Sequence, residues 1–178
     1  MTEDSLTENP EFRSPDARAV HPAVAQASVR HATRDDVAHI EQLLREGRLF
    51  PGPSASATAA DIAILLDGRT AGALLARGEG GAHGLLGYAV DGGTLRLFDL
   101  SVCPGASAPV RDALITALVR AAEPVARSLG LTVVAMQAIR EGMAIDALVA
   151  AGFAVDCEEY EPIGGNGPFA VADLIKVL

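Results

Sequence analysis

The sequence predicts a mixed α/β fold, and two parts of the chain carry this prediction. Residues 97–104 (LFDLSVCP) and 131–138 (LTVVAMQA) are apolar runs typical of strands, and the stretch between them has helical spacing of its apolar residues. Strand, helix and strand in this order form a βαβ unit, whose two strands run parallel. Residues 153–163 and 169–178 have the pattern of two antiparallel strands joined by a glycine-rich turn at 164–167. The chain is therefore expected to build a mixed sheet with helices packed on it.

Length and composition limit the number of domains. With 178 residues, of which 49% are hydrophobic, the chain can bury one sizeable core. Residues 1–27 are rich in Glu, Asp, Ser and Pro without apolar periodicity, so we expect an extended or disordered tail there and a single domain over 28–178. No run approaches the ~18 apolar residues of a membrane span, and the first residues lack the pattern of an export signal. The sequence therefore predicts a cytoplasmic protein with no membrane partner.

Charge and metal-binding residue types argue against two classes of function. The formal net charge is −9, whereas nucleic-acid-binding proteins cluster Lys and Arg on one face. The two cysteines, Cys103 and Cys157, lack C-x-x-C spacing, and the four histidines show no i,i+4 pairing. We therefore expect no nucleic-acid partner, no disulfide framework and no metal site.

The first elements follow from short local patterns. Residues 28–32 suit a short strand, and Thr33 with Asp36 resembles a capping box at the start of a helix. The apolar residues on one face of this helix are Val37, Ile40, Leu43 and Leu44. Gly47 is placed to end the helix.

The next segment contains a turn signal. Residues 49–61 are rich in Pro, Ser and Ala and predict a loop, which is either a plain connector or an entrance to a binding site. Residues 62–66 and 70–76 are apolar runs that flank Asp67-Gly68, a pair typical of tight turns because it accepts positive φ angles. We therefore predict a β-hairpin here.

The middle of the chain alternates strands with glycine-containing turns. Residues 78–84 (GEGGAHG) have the glycine content of a phosphate loop, but no helix follows and Glu79 would repel phosphate. We interpret this segment as a flexible connection. Residues 85–90 and 94–102 predict two strands around a turn at 91–93.

Two helices complete the expected set. The helix after Pro109 keeps apolar residues at i, i+3 and i+4 spacing, which lays one of its faces on the sheet. Pro124 is expected to kink or end this helix, because proline removes a backbone donor and clashes with the preceding turn. A further helix is expected over 141–151, closed by Gly152.

Five of these features occur in the order found in a known family. They are VRHATRDDVAHI (29–40), the Asp-Gly turn, the strand with Val102 and Pro104, the long helix, and ALVAAGF (147–153). In this order they resemble the GNAT superfamily of acyl-CoA-dependent N-acyltransferases. The resemblance covers residues 28–178 and is to the whole layout rather than to one motif.

The resemblance implies a fold and a binding site. The fold is a central mixed, mostly antiparallel sheet with helices on both faces and a splay between its fourth and fifth strands, here 94–103 and 131–138. In such proteins the pantetheine arm of acetyl-CoA lies in the splay and pairs with exposed backbone of the fourth strand, which corresponds to Leu100, Ser101 and Val102. The pyrophosphate binds the amides that open the next helix, where the helix dipole adds partial positive charge.

The loop before that helix departs from the family pattern. Family members usually carry an Arg/Gln-x-x-Gly-x-Gly/Ala motif, whereas residues 105–112 (GASAPVRD) lack the second and third glycines. The candidate residues for phosphate binding are Gly105, Ser107, Ala108, Val110 and Arg111. Pro109 removes one amide from this set, and Asp112 brings a negative charge close to it. The alternative is that Ser107 only caps the helix and Arg111 is a solvated side chain.

Two residues are candidates for the proton transfers of an acyl transfer. An amine that is protonated at neutral pH must lose a proton before it attacks a thioester, and Asp99 is the carboxylate best placed to accept it. Strand alternation puts Asp99 on the face of Leu97, opposite Leu100. Many family members place a tyrosine four residues before the Gly-Phe glycine, where this chain has Leu148, so Tyr160 is the candidate acid. The alternatives are an Asp99 that holds a neighbouring loop and a Tyr160 that packs at the edge of the core.

The resemblance implies an N-acyltransferase that moves an acetyl group from acetyl-CoA to a primary amine of a small molecule or peptide. The altered loop and Leu148 favour the alternative of a non-catalytic GNAT-fold module that senses a ligand or contacts another subunit, with weakened CoA binding. A third alternative is another acyl-CoA reaction on the same scaffold, such as decarboxylation. The last strands are a candidate surface for a homodimer. No metal is expected under any of these functions.

Overall fold

The structure is a computed structural model that describes these parts of the chain: 27–47, 49, 58–139, 144–162 and 168–178. Side chains are described in all of them except at 158–162 and 168–169. Four predicted features fall outside these residues in whole or in part: the tail at 1–26, the loop at 50–57, the first turn of the last helix at 141–143, and the glycine-rich turn at 164–167.

A seven-stranded sheet forms the centre of the described molecule. Its strands are β1 (Ser28–His31), β2 (Ala71–Arg77), β3 (His83–Asp91), β4 (Thr94–Val102), β5 (Val133–Ile139), β6 (Ala154–Pro162) and β7 (Pro168–Val177). Their spatial order is β1-β2-β3-β4-β5-β7-β6, and every neighbouring pair is antiparallel except β4 with β5. The predicted mixed, mostly antiparallel sheet is therefore confirmed.

Helices cover both faces of this sheet. Among the described residues they are α1 (Val37–Glu46), α2 (Ala59–Asp67), α3 (Ala108–Ser128) and α4 (Ile145–Ala150). The first two pack on one face around Ile40, Leu43 and Ile62. The other two cover the opposite face, where the larger core includes Leu114 and Leu148. Burial of both faces stabilises this three-layer arrangement, and in the described stretches no helix has the length and apolar character needed to cross a membrane.

The predicted start and end of α1 are both confirmed. The Thr33 amide donates to the Asp36 carboxylate at 2.8 Å, which is one half of the capping box, and this box opens a 3₁₀ turn (Arg34–Asp36) that leads directly into α1. The Gly47 amide donates to the Leu43 carbonyl at 2.8 Å and closes the helix. Between these ends, Ile40 and Leu43 are buried, as their spacing predicts.

The hairpin predicted around Gly68 is wrong in its first half. Residues 62–66 lie in α2, and only the second apolar run forms a strand, β2. A second capping box explains the difference. The Thr58 amide donates to the Asp61 carboxylate at 2.8 Å, and the Asp61 amide donates to the Thr58 hydroxyl at 3.3 Å. This pair starts a helix, so Gly68 ends that helix rather than forming a tight strand turn.

The long helix α3 does not end at its proline. It continues from Pro124 to Ser128, so of the two effects expected of this proline, a kink or an end of the helix, the end is wrong. Val125 and Ala126 are buried in the core directly after Pro124, and this packing holds the last turn in place. Gly152 follows α4 with a φ of +95°, which confirms its predicted role as a helix stop.

Candidate functional site

The parallel strands β4 and β5 separate part-way along their length. They pair at Leu95 with Val134, Arg96 with Ala135, and Leu97 with Met136. Beyond these positions β4 runs on to Val102 and β5 to Ile139 with no further pairing between the two strands as described. The splay expected between the fourth and fifth strands is therefore present, and we call the space between them the β4–β5 gap.

A bulge in β4 lies at the start of this gap. The register between β3 and β4 shifts between Leu85 and Gly87, and on β4 the residue Asp99 has a φ of +51°. Leu97 before the bulge and Leu100 after it both pack in the core beneath α3. Side-chain alternation therefore reverses at the bulge, because an extra residue is inserted there. The prediction that Asp99 shares a face with Leu97 and lies opposite Leu100 rested on unbroken alternation and is wrong.

The edge of β4 that faces the gap is hydrogen bonded to another part of the same chain. The Cys103 amide donates to the His83 carbonyl of β3 at 2.9 Å, so alternation along β4 turns the backbone groups of Ser101 towards β3 and those of Leu100 and Val102 towards the gap. The Val102 amide donates to the Gly47 carbonyl at 2.8 Å, and the Leu49 amide donates to the Leu100 carbonyl at 3.1 Å. The exposure expected of these two β4 groups is therefore not found. We call Gly47 and Leu49 with these two bonds the β4 strap.

The β4 strap lies between parts of the chain that pack on opposite faces of the sheet. Helix α1 packs in the core beneath α2, whereas Leu49 packs against the core beneath α3. Gly47 has ordinary backbone angles (φ −114°, ψ 5°), yet a Cβ atom on it would lie 2.3 Å from the Val102 carbonyl oxygen. Glycine is thus required at position 47 because the backbone there lies so close to β4. Its backbone angles would also suit other residues.

The turn after β4 leaves open space beside the start of α3. The Ala106 amide donates to the Cys103 carbonyl at 3.4 Å, with Pro104 and Gly105 at the centre of the turn. Gly105 has a φ of +84°, the conformation that favours glycine at this position of a turn. No atom lies within 4 Å of where its Cβ would be, so a ligand has room to approach the backbone here.

The first turn of α3 presents fewer amides than a standard helix start. Ser107 is the N-cap residue, but its side chain makes no capping hydrogen bond. The amides of Ala108 and Val110 lie in the first turn, where the helix offers no acceptor, while Pro109 has no amide to offer. Ser107 and Ala108 are exposed, and the Val110 side chain packs against the core.

The cation closest to this turn in sequence is already engaged. The Arg111 Nε atom lies 3.4 Å from the Asp112 carboxylate, and the Arg111 side chain is 19% exposed. Arg111 is therefore not the freely solvated side chain of the alternative interpretation, and its charge is partly neutralised by its neighbour.

The two candidates for proton transfer lie on strands that are not neighbours. Asp99 is half-buried at the bulge of β4. Tyr160 lies on β6 opposite Ala170, and both β5 and β7 lie between β6 and β4. Leu148, which stands at the position where the resemblance implied a tyrosine in many family members, is fully buried in the core. The roles predicted for Asp99 and Tyr160 stay predictions.

A histidine pair near the end of β4 was not expected from the sequence. The rings of His39 and His83 meet edge to face with centroids 4.8 Å apart, and the His83 amide donates to the Cys103 Sγ atom at 3.3 Å. Burial lowers the pKa of His83, and the charges of His39 and Arg77 act in the same direction. These residues come from distant parts of the chain, so spacing could not have grouped them. Among the described residues no three His, Cys, Asp or Glu side chains are arranged to hold a metal ion.

A pocket of about 320 Å³ lies at the C-terminal half of α3, away from the gap. Its lining residues are His31, Arg69, Tyr88, Ala121, Pro124, Val125, Ser128 and Leu129. The Tyr88 hydroxyl lies 3.3 Å from the His31 Nδ1 atom, and burial raises the pKa of Tyr88. The Tyr88 hydroxyl is thus uncharged at physiological pH, and the Tyr88 ring is part of the core.

Comparison with solved structures identifies the fold. An acetyltransferase of the GNAT family from Streptococcus pneumoniae matches with a TM-score of 0.69 over 86% of this chain and 99% of that chain, at 16% identity. The chain has the GNAT fold. YncA from Salmonella typhimurium, a structure with acetyl-CoA, matches with a TM-score of 0.67 over 85% and 94% of the two chains, at 16% identity. Spermidine N-acetyltransferase from Vibrio cholerae, in complex with CoA and spermine, gives 0.64 over 85% and 95%, at 16% identity. No protein-family model and no curated protein matches the sequence.

Within this GNAT fold the predicted binding residues border one space. Leu100, Ser101 and Val102 form the β4 side of the gap, and residues 105–111 lie where β4 leads into α3. Sequence reasoning missed the β4 strap. Its contact is between backbone groups more than fifty residues apart in the chain, and a single glycine at a helix end does not signal it.

Proposed function

We propose that the chain is an acetyl-CoA-dependent N-acetyltransferase acting on a primary amine. The observation that carries this proposal is the β4–β5 gap, which opens beside the Gly105 turn and the N-terminus of α3. Strand backbone in such a gap suits the two amides of a pantetheine arm, and a helix N-terminus suits phosphates. The GNAT fold supports this assignment of the two ends of the substrate.

The binding roles follow from this orientation. Backbone groups of Leu100 and Val102 pair with the arm, while Ser101 between them holds this stretch of β4 against β3. Phosphates lie against Gly105 and the amides of Ser107, Ala108 and Val110, and Arg111 adds a positive charge at their edge. Because Asp112 shares that charge and Pro109 contributes no amide, we expect weaker phosphate binding than a three-glycine loop gives.

In the reaction the amine attacks the thioester carbonyl carbon. The new C–N bond forms as the C–S bond breaks, and the amine proton passes to Asp99, directly or through water. The departing thiolate takes a proton from Tyr160 or from solvent, since Leu148 offers none. Amides near Leu100 polarise the carbonyl oxygen in the transition state.

We propose a small cationic amine or a peptide amine as the acceptor. The protein carries a net charge of −9, which attracts cations over long range. The Vibrio cholerae neighbour was solved with spermine, a polyamine, which supports an acceptor of this chemical class.

A second candidate function is a non-catalytic GNAT-fold module. The observations that favour it are the β4 strap, which uses backbone groups the substrate arm needs, and the buried Leu148. Such a module would keep the fold while binding CoA weakly or not at all.

Titration calorimetry with acetyl-CoA separates the two candidates. An enzyme should bind acetyl-CoA and gain thermal stability at millimolar concentrations, because a ligand that binds only the folded state stabilises it. Release of free CoA should then be measured with spermidine and with a short peptide as acceptors. Binding without CoA release from any amine would favour the module, and the absence of binding would count against the enzyme.

Substitution of the proposed base tests the mechanism. Asp99→Asn should lower turnover at least tenfold at neutral pH, because an amide cannot accept the amine proton. Acetyl-CoA affinity should stay within about twofold of the wild-type value, since the β4 backbone is retained. Unchanged turnover would remove Asp99 from the reaction.

A further inference from the structure

We infer that the β4 strap is an autoinhibitory contact, in which the chain's own backbone occupies the place of the pantetheine arm and must leave before acetyl-CoA binds. The inference rests on the proposed function, because it concerns access to the same gap. Its geometric basis is that Gly47 accepts from the Val102 amide and Leu49 donates to the Leu100 carbonyl, two of the backbone groups that β4 directs into the gap.

The bonding pattern of the strap has the same polarity as an amide-containing ligand. Gly47 offers a carbonyl oxygen to the Val102 amide at 2.8 Å, and Leu49 offers an amide to the Leu100 carbonyl at 3.1 Å. A pantetheine arm also presents acceptors and donors, through the carbonyl oxygens and the N–H groups of its two amides. The Val102 amide and the Leu100 carbonyl can each form this bond with only one partner at a time. The strap and the pantetheine arm therefore compete for them.

The strap is held by more than these two bonds. Leu49 packs against the core beneath α3, and Gly47 ends α1, whose Ile40 and Leu43 are buried on the other face. Gly47 also approaches Val102 so closely that any side chain would collide with the β4 carbonyl. Release of the strap is therefore a local rearrangement between two packed cores, which gives the gap a closed state and an open state.

A closed state lowers apparent affinity without changing the site itself. If only a fraction of molecules has an open gap, the apparent dissociation constant for acetyl-CoA is the intrinsic value divided by that fraction. Weakening the strap should therefore tighten binding of any ligand that carries the arm. It should leave binding of the nucleotide end unchanged, because that end lies at the turn before α3.

Gly47→Ala is the variant that tests this most directly. Its backbone angles are allowed for alanine, so the added Cβ acts through its collision with Val102. Gly68→Ala is the matched control, because Gly68 also follows the end of a helix with ordinary angles, but the atoms nearest to its added Cβ belong to Leu65 and Ala71 and not to β4. Leu49→Pro is an independent second variant, which removes the amide that bonds to Leu100.

Affinities should be measured by calorimetry for acetyl-CoA, for S-acetylpantetheine and for adenosine 3′,5′-bisphosphate, which lacks the arm. We expect Gly47→Ala and Leu49→Pro to bind the first two ligands about tenfold more tightly than wild type and Gly68→Ala, a gain of about 1.4 kcal/mol. The bisphosphate should bind all four proteins equally. Suppose that the wild type binds acetyl-CoA and the two strap variants bind it no more tightly. This result overturns the autoinhibitory contact and leaves the proposed function standing.

Two other outcomes are equally decisive. If the strap variants also bind the bisphosphate more tightly than wild type, the substitutions act on more than the arm-binding part of the site. This result overturns the inference. If neither wild type nor strap variants bind acetyl-CoA, the proposed function fails and the inference fails with it.

Amide hydrogen exchange gives a readout that does not need a variant to fold. In the free wild-type protein the Val102 and Leu49 amides should both be protected, because both donate within the strap. When acetyl-CoA binds, Leu49 should lose protection while Val102 keeps it through a new bond to the arm. A Leu49 amide that stays protected in the complex contradicts displacement of the strap.

Discussion

Asp99 is, among the residues that the structure describes, the non-glycine residue with a positive φ, at +51°. L-residues with a Cβ are disfavoured there, β-branched ones most of all. We therefore expect Asp99→Val to be less stable than Asp99→Gly by about 1–2 kcal/mol. Urea unfolding of both variants measures this difference.

The comparison of these two variants isolates the backbone conformation. Both lose the carboxylate and every contact it makes, so the difference between them reports the cost of a branched side chain at the bulge. Equal stability would mean that Asp99 does not hold a left-handed conformation in solution. The bulge that starts the β4–β5 gap would then need another cause.

His83 gives a pH dependence with a definite sign. Burial lowers its pKa in the folded protein, so between its lowered value and its ordinary value near 6.5 the unfolded chain binds a proton that the folded one does not. Stability should therefore fall as the pH is lowered through 6.5. His83→Gln should flatten this part of the profile in denaturant unfolding between pH 5 and 8. A profile with the same slope in both proteins would show that other groups cause it.

At the scale of elements, Lys176 joins three of them. Its ammonium group on β7 donates to Glu123 of α3 at 2.6 Å and to the Ala151 carbonyl after α4 at 2.5 Å. Both charged side chains are less than one fifth exposed. Lys176→Met should therefore lower the free energy of unfolding by about 1.5–3 kcal/mol, the range for hydrogen bonds to charged groups.

The same contact predicts how this loss changes with pH. The hydrogen bond from Lys176 lowers the pKa of Glu123, so the stabilisation is complete above the ordinary glutamate pKa and is lost as pH falls through the lowered value. The difference in the free energy of unfolding between wild type and Lys176→Met should decrease below about pH 4. Arg45→Met is the control, because the Arg45–Glu41 pair is exposed and worth about 0.5 kcal/mol or less. If Arg45→Met lowered the free energy of unfolding as much as Lys176→Met does, the Lys176–Glu123 contact would be no stronger than an exposed ion pair.

The elements that the sequence predicted correctly are those with a local physical signal. The capping box before α1, the βαβ unit and the stop at Gly152 each depend on neighbouring residues, and each is found in the structure. The run at 62–66 failed because a short apolar segment fits a strand and a helix equally well. The Thr58-x-x-Asp61 capping box was the local signal that could have decided for the helix.

The site was less predictable because its decisive contacts are not local. The family resemblance located both the gap and the stretch Leu100 to Val102 beside it. The reversal of alternation at Asp99 depends on how β3 pairs with β4, and the β4 strap depends on where α1 ends in space. Neither property can be predicted from the spacing of nearby residues.

At the scale of the whole molecule, net charge opposes the proposed substrate. The protein carries a net charge of −9, and acetyl-CoA carries several negative charges on its phosphates. Long-range repulsion slows their association at low salt, because the screening length is about 30 Å at 10 mM salt and about 8 Å at 150 mM. We therefore expect the association rate of acetyl-CoA to rise roughly threefold between these two salt concentrations. Stopped-flow measurement of the binding rate checks this.

The direction of the salt effect distinguishes global from local charge. A dedicated cationic phosphate site would give the opposite trend, with binding that weakens as salt screens the attraction. In this chain Arg111 is paired with Asp112, so its local attraction is reduced while the global repulsion remains. If the association rate falls steadily with salt, the start of α3 presents more positive charge to phosphates than this pairing allows. Asp112→Asn should then change the rate little, whereas under the arrangement described here it should raise the rate at low salt, because it removes a negative charge that lies beside Arg111.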